Sequence, residues 1–316
     1  MRDIENFHKN LLFWYSKYGR DHLPWRNTNN IYHIYISEIM LQQTQVNRVM
    51  DEFYPNFLEK FPTLEKLAKS PIEDVLASWS GLGYYSRARN IHKTASECPE
   101  KLPETMKELL KLPGIGRYTA SAICSFGYNQ KVSVVDTNIA RVLKRYDGLL
   151  DVKDDIVWKS ADTLLNHISP RSHNLALMDL GSMVCTPTNP KCKECPLTDN
   201  CKGKDEPELY TKKKKTIYES MDLFFAICIK DKKIALEKST GKMYKGMLVL
   251  PSTDPIDENF LTSYKHSYTK YRLTVNLYRV EDIRSENILW LDIEDIDSLP
   301  ISTLTKKGFA KINDIL

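Results

Sequence analysis

The chain's 316 residues predict a multidomain protein of two classes, an all-helical part over residues 1–201 and a smaller part over residues 217–316 that mixes strands with a helix. Three observations carry that prediction. Apolar residues recur with helical period up to about residue 184. Residues 202–216, KGKDEPELYTKKKKT, are polar and charged with no apolar period and read as a linker. Beyond them the apolar residues gather into short β-branched or aromatic runs separated by turn residues.

The elements follow in order. The opening stretch, MRDIENFHKNLLFWYSKYG, mixes acids and bases with its apolar residues, which is the pattern of an amphipathic helix rather than of a signal peptide. Helix breaks are expected at Pro24, Pro55, Pro62, Pro71, Gly81 and Gly83, Pro99, Pro103, Pro113 and Pro170. Residues 109–123, LLKLPGIGRYTASAI, read as a helix, a tight turn at Leu112 to Gly116, and a second helix. Pro113 ends the first helix, while Gly114 and Gly116 permit backbone geometry and close approach that a side chain would block. Such a turn presents bare N–H groups at a helix start, which suits either a phosphate or a plain helix–helix corner. After the linker, LFFAICIK, KKIALEK, MLVLP, YRLTVNLYRV and NILWLDI are expected strands, and a helix from roughly Ser302 to Ile315 closes the chain.

Composition excludes several classes. Hydrophobic residues at 42% and charged residues at 27% are those of a globular protein rather than a disordered one, and no apolar run is long enough for a membrane span. A cytoplasmic chain with no membrane partner is expected, at the nucleoid or in the nucleus according to the cell. Residues 217–316 carry 14 Lys+Arg against 15 Asp+Glu, leaving 31 against 26 in residues 1–216. The basic excess therefore sits in the helical part, which is compatible with a polyanion and equally with an ordinary solvated surface.

Two constellations carry chemistry. Four cysteines, Cys185-x6-Cys192-x2-Cys195-x5-Cys201, crowd into seventeen residues where a helix ends. Four soft ligands so close suit a [4Fe-4S] cluster or tetrahedral zinc, and one C-x2-C flanked by two single cysteines favours the cluster over the paired knuckles common at zinc sites. Glu38 lies in IYHIYISEIMLQQTQV, a helical stretch apolar on almost every side. Burial there raises a carboxyl's pKa and makes it a general acid near neutral pH; the alternative is a Glu on one exposed stripe. Asp136 follows the apolar VSVV and precedes the helix TNIARVLKRY, at or beside an N-cap that should keep it ionised. An acid beside a retained anion is the pair needed to protonate a leaving group and stabilise an oxocarbenium-like sugar.

LPGIGRYTA, the VVDTN segment some twenty residues later, and the four-cysteine loop together resemble the helix-hairpin-helix DNA glycosylases that carry an iron-sulfur cluster. The likeness covers residues 1–201. Glycosylase/lyases of that superfamily have a catalytic Lys after the hairpin, where this chain has Tyr118, so the resemblance implies hydrolysis without a Schiff base. LPWR (23–26), SEIMLQQTQV (37–46) and GLGYYSRARN (81–90) look very like the adenine DNA glycosylases, the MutY family. That resemblance implies adenine excision opposite 8-oxoguanine or guanine in duplex DNA. Glu38 would protonate N7 and then deprotonate the attacking water. Asp136 would stabilise the sugar cation, with Asn138 and Tyr118 orienting the pair. The unstacked adenine would enter near Leu23, Trp25 and Arg26, Gln43 and Tyr84 would insert into the base stack, and Leu112, Gly114 and Gly116 would hold phosphate.

YKGMLVLP (244–251) and HSYTKYRL (266–273) resemble the Nudix-like lesion-recognition domain of the same family, so residues 217–316 are expected to form a Nudix-like α/β domain. Where that family commonly has Phe-Ser-His, this chain has Tyr268, Thr269 and Lys270, and Thr269 keeps a hydroxyl able to bond the lesion. The Nudix pyrophosphatase signature is absent. Thr137 and Leu175 depart from the family where a Gly and a Gln or Glu are usual, and an apolar Leu175 discriminates bases less sharply than a hydrogen-bonding side chain. A monomer is expected. Rival readings are a thymine glycosylase acting on T·G mismatches, a lesion-binding protein without catalysis, and a zinc-clipped helical protein.

Overall fold

The computed structural model describes residues 3–211, 217–283 and 287–312. Contacts divide the chain into two compact units, Met1–Glu65 with Lys93–Lys214 and Lys66–His92 with Lys215–Leu316. No helix among the described residues is long and apolar enough to cross a membrane.

The first unit is helical. Asp3 starts the helix Ile4–Tyr18 by accepting from the Asn6 N–H at 3.0 Å, and Phe7, Leu11 and Trp14, spaced four and three residues apart, form its buried face. That face joins one core with Ile139, Val142, Leu143 and Tyr146 of the helix Thr137–Asp147 and Leu177 and Leu180 of the helix Pro170–Met183. The helix Ile31–Met40 is capped by Asn30, whose side chain accepts from Tyr32 N at 3.0 Å and His33 N at 3.4 Å, and it is buried on nearly every side from Ile34 to Met40.

The expected hairpin is present. A short helix, Met106–Leu109, leads into a turn in which Gly114 takes φ +73°, and the second helix, Arg117–Ala122, runs on through a wide π turn, Ile123–Gly127. The expected break at Pro55 is absent. The run from Val46–Arg48 to Tyr54–Lys60 stays helical because a π turn at Val49–Phe53 widens the backbone where proline lacks its N–H and crowds the preceding turn. Residues 202–211 pack back on the helix Thr137–Asp147: Gly203 N donates to Arg145 O at 2.8 Å and Arg145 Nε to Pro207 O at 2.9 Å. The rest of the expected linker, 212–216, lies outside the described residues.

The second unit contains β1 (Glu219–Ile227), β2 (Ile229–Lys230), β3 (Lys233–Lys238), β4 (Leu248–Val249), β5 (Phe260–Tyr268), β6 (Tyr271–Arg279) and β7 (Ile288–Asp292). β6 pairs parallel with β1 and antiparallel with β5; in a second sheet β3 pairs antiparallel with β2, β4 and β7. All five expected strand segments are found. β5 is the addition: of its nine residues only Tyr264 is buried, so it lacks the apolar alternation that marks a strand and is held mainly by its ladder with β6. Ser302 caps the last helix, Thr303–Phe309, by accepting from Thr305 N at 3.1 Å, and its expected end at Ile315 lies outside the described residues.

One glycine sets the spacing of the first unit. A Cβ on Gly181 would lie 2.8 Å from Asn138 Cβ and 2.9 Å from Asn138 O, so only glycine lets the helix Pro170–Met183 approach the start of the helix Thr137–Asp147. Gly181→Ala should cost about 1–3 kcal/mol through overpacking, read as a lower Tm, and should displace Asn138. An unchanged Tm would show that the two helices can part without penalty.

Candidate active site

Glu38 sits in the last turn of the helix Ile31–Met40 with 5% of its surface exposed. Its Oε2 accepts a 2.6 Å hydrogen bond from the Tyr118 hydroxyl, and Tyr118 is the second residue of the helix that follows the hairpin. Burial pushes the Glu38 carboxyl up from 4.5 to about 7; the Tyr118 bond and the Arg26 charge oppose the rise, and Asp136 adds to it. Burial and the negative charges of Glu38 and Asp136 raise the Tyr118 phenol well above its usual value, so it remains a donor. The carboxyl expected to act as a general acid is thus buried, bonded to Tyr118 and raised toward neutrality.

Asp136 is the N-cap of the helix Thr137–Asp147, as its sequence position predicts. Oδ1 accepts from Ile139 N at 2.7 Å and Oδ2 from Asn138 Nδ2 at 2.9 Å. Its electrostatics differ from the expectation. Burial raises its carboxyl above the usual value although the cap, Asn138 and Arg141 all pull it down. A cap lowers a carboxyl most effectively at a solvated helix start, and this one is half-buried.

Both carboxyls line a cavity of about 780 Å³, within the usual size of small-molecule sites. Leu23, Trp25, Arg26, Gln43, Tyr118 and Asn138 line it too, as do the two departures Thr137 and Leu175. Gln43 is exposed and adopts φ +57°, a left-handed conformation that few side chains accept. Arg26 is committed elsewhere: Nη2 donates to Asp179 Oδ1 at 2.9 Å and Nη1 to Oδ2 at 3.2 Å, while Arg20 Nε binds Oδ1 at 2.8 Å. Burial alone would raise the Asp179 carboxyl, yet Arg26 and Arg20 hold it below its usual value. Asp179 escaped the sequence reading; the signal available was a lone acid in the apolar stretch NLALMDLG.

Leu112, Gly114 and Gly116 form the hairpin turn beside Tyr118, outside the cavity lining. A Cβ added to Gly116 would meet nothing within 4 Å, so internal packing does not demand the glycine there. Cys185, Cys192, Cys195 and Cys201 line a separate small cavity together with Arg145. Arg145 is 2% exposed, and its Nη1 donates to Cys185 Sγ at 3.2 Å and Thr186 O at 2.8 Å. Arg141 Nε donates to Cys185 O at 2.7 Å and its Nη2 to Asn138 Oδ1 at 2.9 Å. These two arginines, four apart on one helix, join the cysteine loop to the residue that orients Asp136. They were not foreseen, because an i, i+4 pair of cations on an amphipathic helix resembles a solvated face. Tyr84 and Thr269 belong to the second unit. Both are exposed and left-handed, with φ +51° each, and Thr269 sits at the tip of the β5–β6 hairpin.

Comparison with known proteins agrees with this geometry. Residues 36–165, which span Glu38, Tyr118 and Asp136, match the model of the HhH-GPD superfamily base excision DNA repair protein. The adenine DNA glycosylase of Buchnera aphidicola subsp. Baizongia pistaciae is 34% identical over 339 residues, covering 97% of this chain and 96% of that protein. The chain belongs to the adenine DNA glycosylase family. The adenine DNA glycosylase of Rattus norvegicus is 42% identical over 221 residues, 64% of this chain and 42% of the rat protein. Among solved structures, a thermostable thymine-DNA glycosylase is 30% identical with a TM-score of 0.60, covering 64% of this chain and 97% of that one. The helical unit therefore has the helix-hairpin-helix glycosylase fold, with a sheet region following it in the chain.

A buried acid carries a stability signature that depends on pH in this glycosylase family member. Because the Glu38 pKa is raised on folding, the stability it contributes is present below about pH 4.5 and lost as pH rises through about 7, amounting to on the order of 3 kcal/mol. Glu38→Gln cannot ionise, so its Tm should exceed that of the wild type at pH 8 and match it near pH 4. A Tm difference that ignores pH would show that Glu38 is not a buried acid.

Proposed function

We propose that this protein hydrolyses the N-glycosidic bond of adenine mispaired with 8-oxoguanine or guanine in duplex DNA, without lyase activity. The observation that carries the reading is the buried Glu38 carboxyl, raised to about 7 and bonded to Tyr118, in the cavity that Asp136 also lines. An adenine turned out of the stack meets Leu23 and Trp25 there, and Glu38 delivers its proton to N7 so that the base departs neutral. Asp136, oriented by Asn138, stabilises the positive charge left on the sugar. The resulting Glu38 carboxylate takes a proton from the incoming water. Tyr118 supplies no amine, so no Schiff base forms and the strand stays whole.

Duplex DNA is the partner, engaged by a monomer inside the cell. Its phosphate rests at the Leu112–Gly116 turn, where the open space beside Gly116 leaves room for close approach. Gln43 and Tyr84, both exposed and left-handed, fill the gap in the stack. The four cysteines suit a [4Fe-4S] cluster. Their sulfurs share one cavity with an Arg145 N–H aimed at Cys185 Sγ, yet among the described residues no three ligands gather as a single metal ion requires. When bound, the cluster supplies a rigid clip. The second unit reads the base opposite adenine as a Nudix-like module, with Thr269 presented at its hairpin tip.

A second reading keeps the chemistry and changes the base. The apolar Leu175 in the cavity wall and the similarity to a thymine-DNA glycosylase favour thymine opposite guanine. An excision assay on adenine opposite 8-oxoguanine, adenine opposite guanine, and thymine opposite guanine separates the two, and faster thymine release would overturn the adenine assignment. Glu38→Gln should retain DNA binding and lose excision. In the wild type the rate should fall roughly tenfold per pH unit above about pH 7 as the acid ionises; a rate that climbs with pH would remove Glu38 as the proton donor. Strand breakage should require added alkali. Purified protein should be coloured and hold about four irons per chain, and a colourless zinc protein would refute the cluster.

A further inference from the structure

The second unit holds a cluster that the chemistry above does not use, centred on Tyr244. This residue adopts φ +55°, a genuine outlier for a bulky side chain, two residues before Gly246 at φ +78°. It is also buried, with 5% of its surface exposed, and it is held from several directions. Its hydroxyl shares a 2.6 Å hydrogen bond with His266 Nε2 in β5 and lies 3.3 Å from Thr303 Oγ1 at the start of the last helix. Its ring centroid is 4.9 Å from that of Tyr268 and 6.3 Å from that of Tyr85. Tyr244 therefore lies between the last strand residue before the hairpin tip and Tyr85, the inner member of the aromatic pair at 84–85.

Next to each of those ring contacts stands a strained and exposed residue: Thr269 follows Tyr268, and Tyr84 precedes Tyr85, each at φ +51°. Thr269 is β-branched, which makes a left-handed backbone costlier still. Strain of this kind persists only where the surroundings over-determine it, and Tyr244 is a buried neighbour common to both sites.

We propose that Tyr244 is the positioning residue for selection of the base opposite the excised adenine: tied to His266, it holds Thr269 and Tyr84 in the conformation that meets an oxidised purine. This rests on the reading of the second unit as a lesion reader. A surface set in advance spends no binding energy on ordering itself, so loosening it should weaken discrimination rather than chemistry.

Tyr244→Phe keeps the ring and its burial and removes the hydroxyl. Single-turnover excision of adenine opposite 8-oxoguanine and opposite guanine, together with Tm, tests the proposal in the full-length protein. The expected result is a preference for 8-oxoguanine reduced about tenfold, with excision opposite guanine within about twofold of wild type. His266→Gln, which retains hydrogen-bonding groups for the hydroxyl, should restore part of the preference lost in His266→Ala. Equal losses on both substrates, or a preference unchanged in Tyr244→Phe, would overturn the assignment. A wild type with no preference at all would instead remove the lesion-reading premise, and this inference with it.

Discussion

A carboxyl group with one-twentieth of its surface exposed cannot remain an anion without compensation, and the arrangement around Glu38 follows from that constraint. The helix Ile31–Met40 is apolar on nearly all sides, which sets the cost of the charge. Tyr118 satisfies one carboxyl oxygen and lowers the pKa more than Arg26 does, yet burial outweighs both. The cation that acts on Glu38 is Arg26, and a free guanidinium there would draw the carboxyl further toward the anion. Asp179 removes that risk by taking Arg26 in a paired contact. The LPWR loop, the residue after the hairpin and the helix Pro170–Met183 thus converge on a carboxyl held well above its usual pKa.

The helix Thr137–Asp147 does the complementary work. Its first turn is capped by Asp136, and its interior carries Arg141 and Arg145, spaced to lie on one face and both directed at Cys185. The cap, the asparagine that orients it and the anchor of the cysteine loop are therefore rigid parts of one element. Gly181 makes this possible by letting the neighbouring helix come close enough for its carbonyl to accept from Arg141 at 2.7 Å. Removing the loop's anchor would disturb Asp136 through Asn138, with no need for motion elsewhere.

Much of this was legible in the amino acids. Glu38 could be suspected as a raised acid because Ile34, Tyr35 and Leu41, three of its four neighbours at helical spacing, are apolar or aromatic, and Asp136 as a cap because a strong helix begins just after it. The direction of the Asp136 shift could not be read, since it depends on how deeply other helices cover the cap. Asp179, Arg141 and Arg145 were hidden for a related reason: a charge on an amphipathic helix looks solvated until its partner, far off in the chain, is known. β5 was missed because its stability resides in the ladder with β6 and not in its own pattern, and Pro55 misled because a π turn absorbed it. The left-handed Gln43, Tyr84, Tyr244 and Thr269 are not residue types that advertise a positive φ.

The placement of Gln43 ties an exposed side chain at the cavity's edge to the buried Glu38 by a short stretch of backbone. It lies five residues after Glu38, and the chain between them is the end of one helix closed by a tight turn, with Leu41 N bonded to Ser37 O at 2.9 Å and Thr44 N to Leu41 O at 3.4 Å. Glu38 is buried and Gln43 is exposed, so this rigid span has one end in the core and the other at the cavity's edge. A side chain at 43 that engages the duplex fixes its own backbone, and through that span it fixes the distance from the duplex to the acid. Positioning of this kind is local, because the same short span of backbone sets the place of the buried carboxyl and of the exposed side chain.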